Sequence, residues 1–169
     1  MEEFKYGESD NEICGILFDG AWLWEEYVNT ILTDHGFVHL QNKIGKGKIF
    51  LFEDIDEFGN KHKSGIRYPD FYKDDFVLDA KYKRLGSYDK VSKVDREDIH
   101  QIITYMNNLN ASRGGFVSPI ESKQEKNPTS HLNNSSSTLS IYGIEISMIS
   151  KSYQEFCAKM VGLESEFVA

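Results

Sequence analysis

From Ile66 to Lys83 the chain reads Ile-Arg-Tyr-Pro-Asp-Phe-Tyr-Lys-Asp-Asp-Phe-Val-Leu-Asp-Ala-Lys-Tyr-Lys, two short runs separated by a polar turn. The second run alternates with period two, which predicts a strand. Phe76, Leu78, Ala80 and Tyr82 fall on one face; Val77, Asp79 and Lys81 fall on the other. A strand that buries one face fills the other with solvent-tolerant groups. Here those groups are an acid and a base two residues apart, hence side by side. Asp70 follows Pro69 on the first strand, and its face depends on register. A Lys73-Asp74 turn pairs Tyr72 with Asp75, sets Asp70 opposite Val77 and brings it beside Asp79 and Lys81. A one-residue slip sends it to the far face. In the first register two carboxylates and an ammonium converge. Close carboxylates repel unless a cation lies between them, and oxygen-rich sites suit Mg²⁺. The competing reading is a charged hairpin edge, since acids and lysines are ordinary on exposed strands.

Composition narrows the class. The 169 residues are enough for one domain with a sizeable core and too few for two, so residues 1–169 are expected to form a single domain. No apolar run approaches the ~20 residues of a membrane span. The start, Met1-Glu2-Glu3, is the opposite of a signal peptide, so a cytoplasmic protein is expected. Cys14 and Cys157 stand alone and read as packed thiols. His35, His39, His62, His100 and His131 show no zinc-ligand spacing. The formal net charge of −8 argues against unaided binding to nucleic acid. Local basic patches remain: Lys81, Lys83, Arg84, Lys90 and Lys93 after the hairpin, and Lys43, Lys46 and Lys48 before it. Lys83, Arg84 and Lys90 are the candidates for phosphate contact, against the ordinary reading of solvated lysines.

Residues 1 to about 15 are polar without a clear period. A helix is expected from about Gly20 to His35, with Ala21, Trp24, Tyr27, Val28, Ile31 and Leu32 on one face and Glu25 at its border. Gly36 suits the helix end. Phe37 to Gln41 is a weak strand and Lys48 to Glu53 a clearer one. Gly45-Lys46-Gly47-Lys48 lacks phosphate-loop spacing and reads as a turn. Asp54 to Ser64 reads as a polar connection with its tip at Phe58-Gly59-Asn60. Asp95 is the expected cap of a second helix running to about Asn108, with Ile99, Ile102, Ile103, Met106 and Leu109 inward. Asp98, Gln101 and Tyr105 form a second stripe that can face a neighbouring site. Gly115 to Ile120 is a short strand, 121–138 an exposed loop, Leu139 to Ser147 an alternating strand. Ser150 or Ser152 opens a last helix carrying Tyr153, Phe156, Cys157, Met160 and Val161.

Pro69-Asp70, a spacer and Asp79-Ala80-Lys81 resemble the PD-(D/E)XK nuclease signature. Three segments resemble, more narrowly, the nuclease domain of McrC, the endonuclease subunit of McrBC modification-dependent restriction systems. They are Leu-Trp-Glu-Glu-Tyr-Val, Tyr-Pro-Asp with Leu-Asp-Ala-Lys-Tyr-Lys, and Asp-Ile-His-Gln-Ile-Ile-Thr-Tyr. The resemblance covers most of Gly20 to Ile120. It implies a restriction-endonuclease-like α/β fold, a central mixed sheet flanked by helices. It implies Mg²⁺-dependent cleavage of DNA, with Mn²⁺ as a substitute, in a system directed at 5-methylcytosine. Asp70, Asp79 and the Ala80 carbonyl would hold the metal, and Lys81 would orient the attacking water. Glu25, Gln101 and Tyr105 would flank the site. A GTP-driven AAA+ partner of the McrB type would recognise and move the DNA. McrC-like proteins usually carry a domain before the nuclease, so a fragment or a shortened relative is expected here. The alternatives are a repair or structure-selective nuclease of the same fold, and an inactive DNA-binding or scaffold relative. Asp79→Ala and Lys81→Ala are expected to abolish cleavage without disturbing the fold.

Overall fold

The computed structural model describes residues 3–6, 13–16, 19–39, 47–83, 85, 88–122, 126–146 and 149–168. The polar N-terminal segment is not featureless: β1 (Glu3–Tyr6) and β2 (Ile13–Ile16) pair antiparallel. Helix α1 (Gly20–Thr33) begins where the Asp19 carboxylate accepts the Ala21 and Trp22 amides. After its end at Thr33 the chain turns away through Gly36, whose φ of +81° is one a glycine adopts without strain. Asp19→Ala should cost about 1 kcal/mol, read by chemical denaturation, because the capped amides lose their acceptor.

After α1 come β3 (Val38–His39) and a separate antiparallel ribbon of β4 (Ile49–Ile55) and β5 (Lys61–Arg67). Much of the expected polar connection at 54–64 is thus paired strand, with the turn at Asp56–Asn60. The motif hairpin is β6 (Phe71–Lys73) and β7 (Phe76–Ala80). Helix α2 (Arg96–Leu109) leads to β8 (Arg113–Ile120), then β9 (Thr129–His131) and β10 (Thr138–Glu145), and α3 (Tyr153–Val168) closes the order. The sheet order is β3-β6-β7-β8-β10-β9, with β7, β8 and β10 parallel and the outer pairs antiparallel. The expected fold, a mixed sheet flanked by helices, is the one observed. The stretch expected to be a loop at 121–138 contains β9, and residues 123–125 lie outside the described residues, as do Lys43, Lys46, Arg84 and Ser147.

Each sheet face is covered. Val77, Phe116, Leu139 and Ile141 pack against Ile102, Tyr105 and Met106 of α2. Leu78, Val117 and Ile144 pack against Trp24, Val28 and Leu32 of α1 and Met160 of α3. Being central, β7 is buried on both faces, so the acid-bearing face is not open as alternation alone implied: Asp79 is 1% exposed. Gly114 lets α2 come close, because a Cβ there would strike Met106 and Leu139. On α3, Ser152 accepts the Glu155 amide, and Phe156 and Met160 turn inward as expected, whereas Tyr153 and Val161 are exposed. Among the described residues no helix is long and apolar enough to cross a membrane.

Candidate functional site

The turn of the motif hairpin is Asp74-Asp75, with φ +50° at Asp74, rather than Lys73-Asp74. Tyr72 therefore pairs with Val77 and Phe71 with Leu78. Carried one pair further, that register sets Asp70 opposite Asp79 instead of Val77. The shift is two residues, so side-chain parity survives and Asp70 stays on the Asp79 face. Its Oδ2 accepts the Ala80 amide at 2.8 Å, which ties the first acid to the strand that carries the second.

Asp79 is the centre of the cluster. Its Oδ1 accepts Gln101 Nε2 at 3.2 Å, and the same amide donates to the Tyr105 hydroxyl at 3.0 Å. Oδ2 lies 2.8 Å from Lys81 Nζ, a charge contact that lacks the direction of a hydrogen bond. Lys81 is also 3.1 Å from Asp98 Oδ1, and Asp98 Oδ2 takes Lys83 at 2.8 Å. The Lys83 ammonium reaches Asp95 as well, at 2.6 Å. The Asp95 carboxylate is thereby spent on an ion pair and does not cap α2 as expected. Lys90 is exposed at the entry to the turn before α2.

Glu25 comes from α1 and approaches from the side of β3, where its Oε1 lies 3.6 Å from His39 Nε2. His39 Nδ1 is 2.9 Å from the Asp70 carbonyl, and its ring stacks on Phe71. So the structure gathers Glu25, Asp70, Asp79, Lys81, Gln101 and Tyr105, each named from sequence, in one place. Asp98, of the same expected stripe as Gln101 and Tyr105, joins them, and the structure adds His39 and Ser118. Strand alternation puts Ser118 on the Asp79 face of β8, two residues beyond Phe116, the residue opposite Asp79. Among the described residues, Asp79 Oδ2 and Ser118 Oγ are the buried side-chain atoms without a hydrogen bond.

The electrostatics follow from burial. Burial, then the charges of Asp79 and Glu25, hold the Asp70 carboxyl well above the usual range. Burial pushes Asp79 up to about 6, against the pull of Lys81. Burial alone would lower Lys81, but Asp79 and Asp98 outweigh it and keep the ammonium firmly charged. Burial raises Asp98, and Lys83 and Lys81 more than offset this, leaving it below the ordinary range. Burial also raises Tyr105, so it is a neutral phenol. The result is a buried acid pair held at raised proton affinity, with the Lys81 ammonium against Asp79 Oδ2. Among the described residues no three His, Cys, Asp or Glu side chains close on one point in ligating geometry. Two buried carboxylates side by side are oxygen donors of the kind that suits a hard ion keeping several of its waters.

A family profile, McrBC 5-methylcytosine restriction system component, matches residues 1–119. A solved structure with similar fold is a refined half-complex from the tetradecameric assembly of Thermococcus gammatolerans McrB AAA+ hexamers with bound McrC. The TM-score is 0.53 at 16% identity, over 89% of this chain and 34% of that chain. This chain thus spans about a third of the length of the one it resembles. No curated protein matches. The profile covers well over half of the residues, from the N-terminus through the motif hairpin and α2 into β8, and on that ground the chain belongs to the family of McrBC 5-methylcytosine restriction system components.

Proposed function

We propose that this chain is a Mg²⁺-dependent DNA endonuclease of the PD-(D/E)XK type, the cleaving component of an McrBC-like system directed at 5-methylcytosine. The observation that carries the reading is the convergence of Asp70, Asp79 and Lys81, with Asp79 Oδ2 buried and without a hydrogen bond. Asp70, Asp79 and the Ala80 carbonyl would hold the metal. When bound, it lowers the pKa of a water and offsets charge on the scissile phosphate. Lys81, beside Asp79, would orient an attacking water and donate to the phosphate as negative charge builds. Asp98 keeps the ammonium beside the acid pair, 3.1 Å away. Gln101 fixes the rotation of the Asp79 carboxylate, and Tyr105, which accepts from Gln101, keeps its own proton for a DNA oxygen.

The partner is an AAA+ GTPase, a reading supported by family membership and by the McrB–McrC description of the similar fold. The division of labour is consistent with the net charge of −8, because a nuclease presented with DNA by another subunit need not bind it tightly alone. Lys83 is already engaged by Asp95 and Asp98, so phosphate contact there requires exchange of ion pairs. The test is cleavage of methylated and unmethylated plasmid with the partner GTPase, GTP and Mg²⁺ or Mn²⁺. Metal-dependent cutting of methylated DNA is expected. Absence of cutting under every metal and partner condition overturns the proposal.

A further inference from the structure

The ribbon of β4 and β5 is separate from the central sheet, and its root is held to α2. Asn108 Nδ2 donates to the Phe50 carbonyl at 2.7 Å, and Ile49 packs against the cluster that includes Tyr105 and Met106. Arg67 pairs directly opposite Ile49, so both side chains leave the same face of the ribbon. That places the guanidinium beside the site: burial raises the Tyr105 hydroxyl, and the Arg67 charge pulls it the other way. Two ammoniums extend the charge along the root. Lys48 Nζ and Lys63 Nζ lie 5.5 Å and 5.8 Å from the centre of the Phe50 ring. All three cations are exposed. Among the described residues none of them meets a carboxylate, and Arg67 donates to its own neighbour, the Ile66 carbonyl, at 2.8 Å. The lysines that follow the motif are in the opposite condition, with Lys81 and Lys83 both held by acids. The ribbon's acid Glu53 sits opposite Lys63 but bonds Lys61 instead.

We propose that Arg67, Lys63 and Lys48 form a phosphate track at the root of the ribbon, which holds the backbone of duplex DNA beside the acid pair. This rests on the nuclease reading above and names the surface that grips the substrate. With a net charge of −8 the chain as a whole repels a polyanion, so contact is made where unpaired cations gather. A lysine already paired with a carboxylate gives up that pair to reach a phosphate. A free cation releases counterions from the DNA without that loss. Arg67 suits the place beside Tyr105, because its planar fork takes two phosphate oxygens at once. The lysines over the Phe50 ring keep their full charge, and the ring restrains them before DNA arrives.

The experiment is binding of the full chain to a fluorescent duplex, read by anisotropy in chelator so that nothing is cut, between about 50 and 200 mM salt. The slope of log affinity against log salt counts phosphate contacts, at roughly 0.9 each. Arg67→Gln should make it shallower by about 0.9, and Lys48→Gln, Lys63→Gln and Arg67→Gln together by about 2.7. Lys151→Gln, ahead of α3 on the other sheet face, should leave it unchanged. The three replaced side chains are exposed, so the fold is retained. A triple variant with the parent's slope, an equal change from Lys151→Gln, or a parent chain that binds no duplex at the lowest salt overturns the proposal. An unchanged slope with lost binding to the partner GTPase also overturns it and assigns the ribbon to a protein contact. Calorimetric titration with Mn²⁺ alone tests the underlying reading separately. Mn²⁺ binding that Asp70→Ala removes, with an unchanged slope in the triple variant, leaves the metal site standing and this inference fallen. Absence of Mn²⁺ binding in the parent removes both.

Discussion

Asp79→Asn should reduce DNA cleavage by about 1000-fold with the fold retained. A metal-bound phosphoryl centre draws several kcal/mol of transition-state stabilisation from the ion. At about 1.4 kcal/mol per tenfold in rate, a loss near 4 kcal/mol gives that factor. Asparagine is the right replacement and alanine the wrong one, for a reason seen only in the structure. Asp79 is 1% exposed beneath α2, so alanine would open a gap and remove one of the two acceptors of the Gln101 amide, leaving Tyr105. The amide keeps the shape and can still accept from Gln101 Nε2 through Oδ1, while the second oxygen becomes a donor and cannot ligate. Lys81 then retains Asp98 alone as its counter-charge. Lys81→Met should cost about 10²–10³-fold, the usual effect of deleting one preorganised donor to a developing oxyanion. The measurement is plasmid cleavage by full chain and partner, with circular dichroism to confirm folding. An Asp79→Asn protein that cuts at the parent rate would remove Asp79 from the chemistry.

Much of this was legible because side-chain parity is robust to the commonest error in placing a turn. Putting the turn at Lys73-Asp74 was wrong by two residues in register, and a two-residue error returns every side chain to its original face. Glu25, Gln101 and Tyr105 were legible as helix-border positions, because a 3.6-residue period over fourteen residues fixes each azimuth. The burial of Asp79 was not. A five-residue strand carries no record of what covers it, and α2 arrives from farther along the chain. Asp95 followed the capping pattern, yet its carboxylate lies against Lys83, a partner that the local sequence pattern does not announce. His39 and Ser118 were invisible for different reasons. A strand of two residues has no period, and a lone serine between Val117 and Pro119 has no spacing to read.

Freed of divalent ions, the protein should be most stable a little above pH 4 and lose stability toward pH 7, with Mg²⁺ reversing the loss. The sign comes from the acid pair. A carboxyl whose folded pKa lies above its unfolded value binds its proton more tightly when folded. Its contribution is complete below the unfolded pKa and is lost as pH rises through the folded one. Asp79, raised from 3.8 to about 6 by burial, therefore costs about 3 kcal/mol between pH 4 and pH 7. Asp70 moves in the same direction for the same reason. Asp56, Asp75, Asp89, Asp98 and Glu155 are lowered by hydrogen bonds and ion pairs and act oppositely, adding stability as pH rises from acid through their unfolded values near 4. The gain ends and the loss begins at the unfolded carboxylate values, so the maximum falls a little above pH 4. Asp70→Asn should flatten the descent, because the amide still accepts the Ala80 N–H but has no charge to bury beside Asp79. The same variant should gain nothing from Mg²⁺, whereas the parent gains by mass action as the ion binds only the folded chain. Denaturant titrations at pH 4 to 8, in chelator and in excess Mg²⁺, measure both. Stability in chelator that climbs steadily to pH 7.5 would mean that the acid pair is not held at elevated proton affinity. Nuclease and metal site would then need separate explanations for why a protein buries two carboxylates side by side without spending their repulsion on a cation.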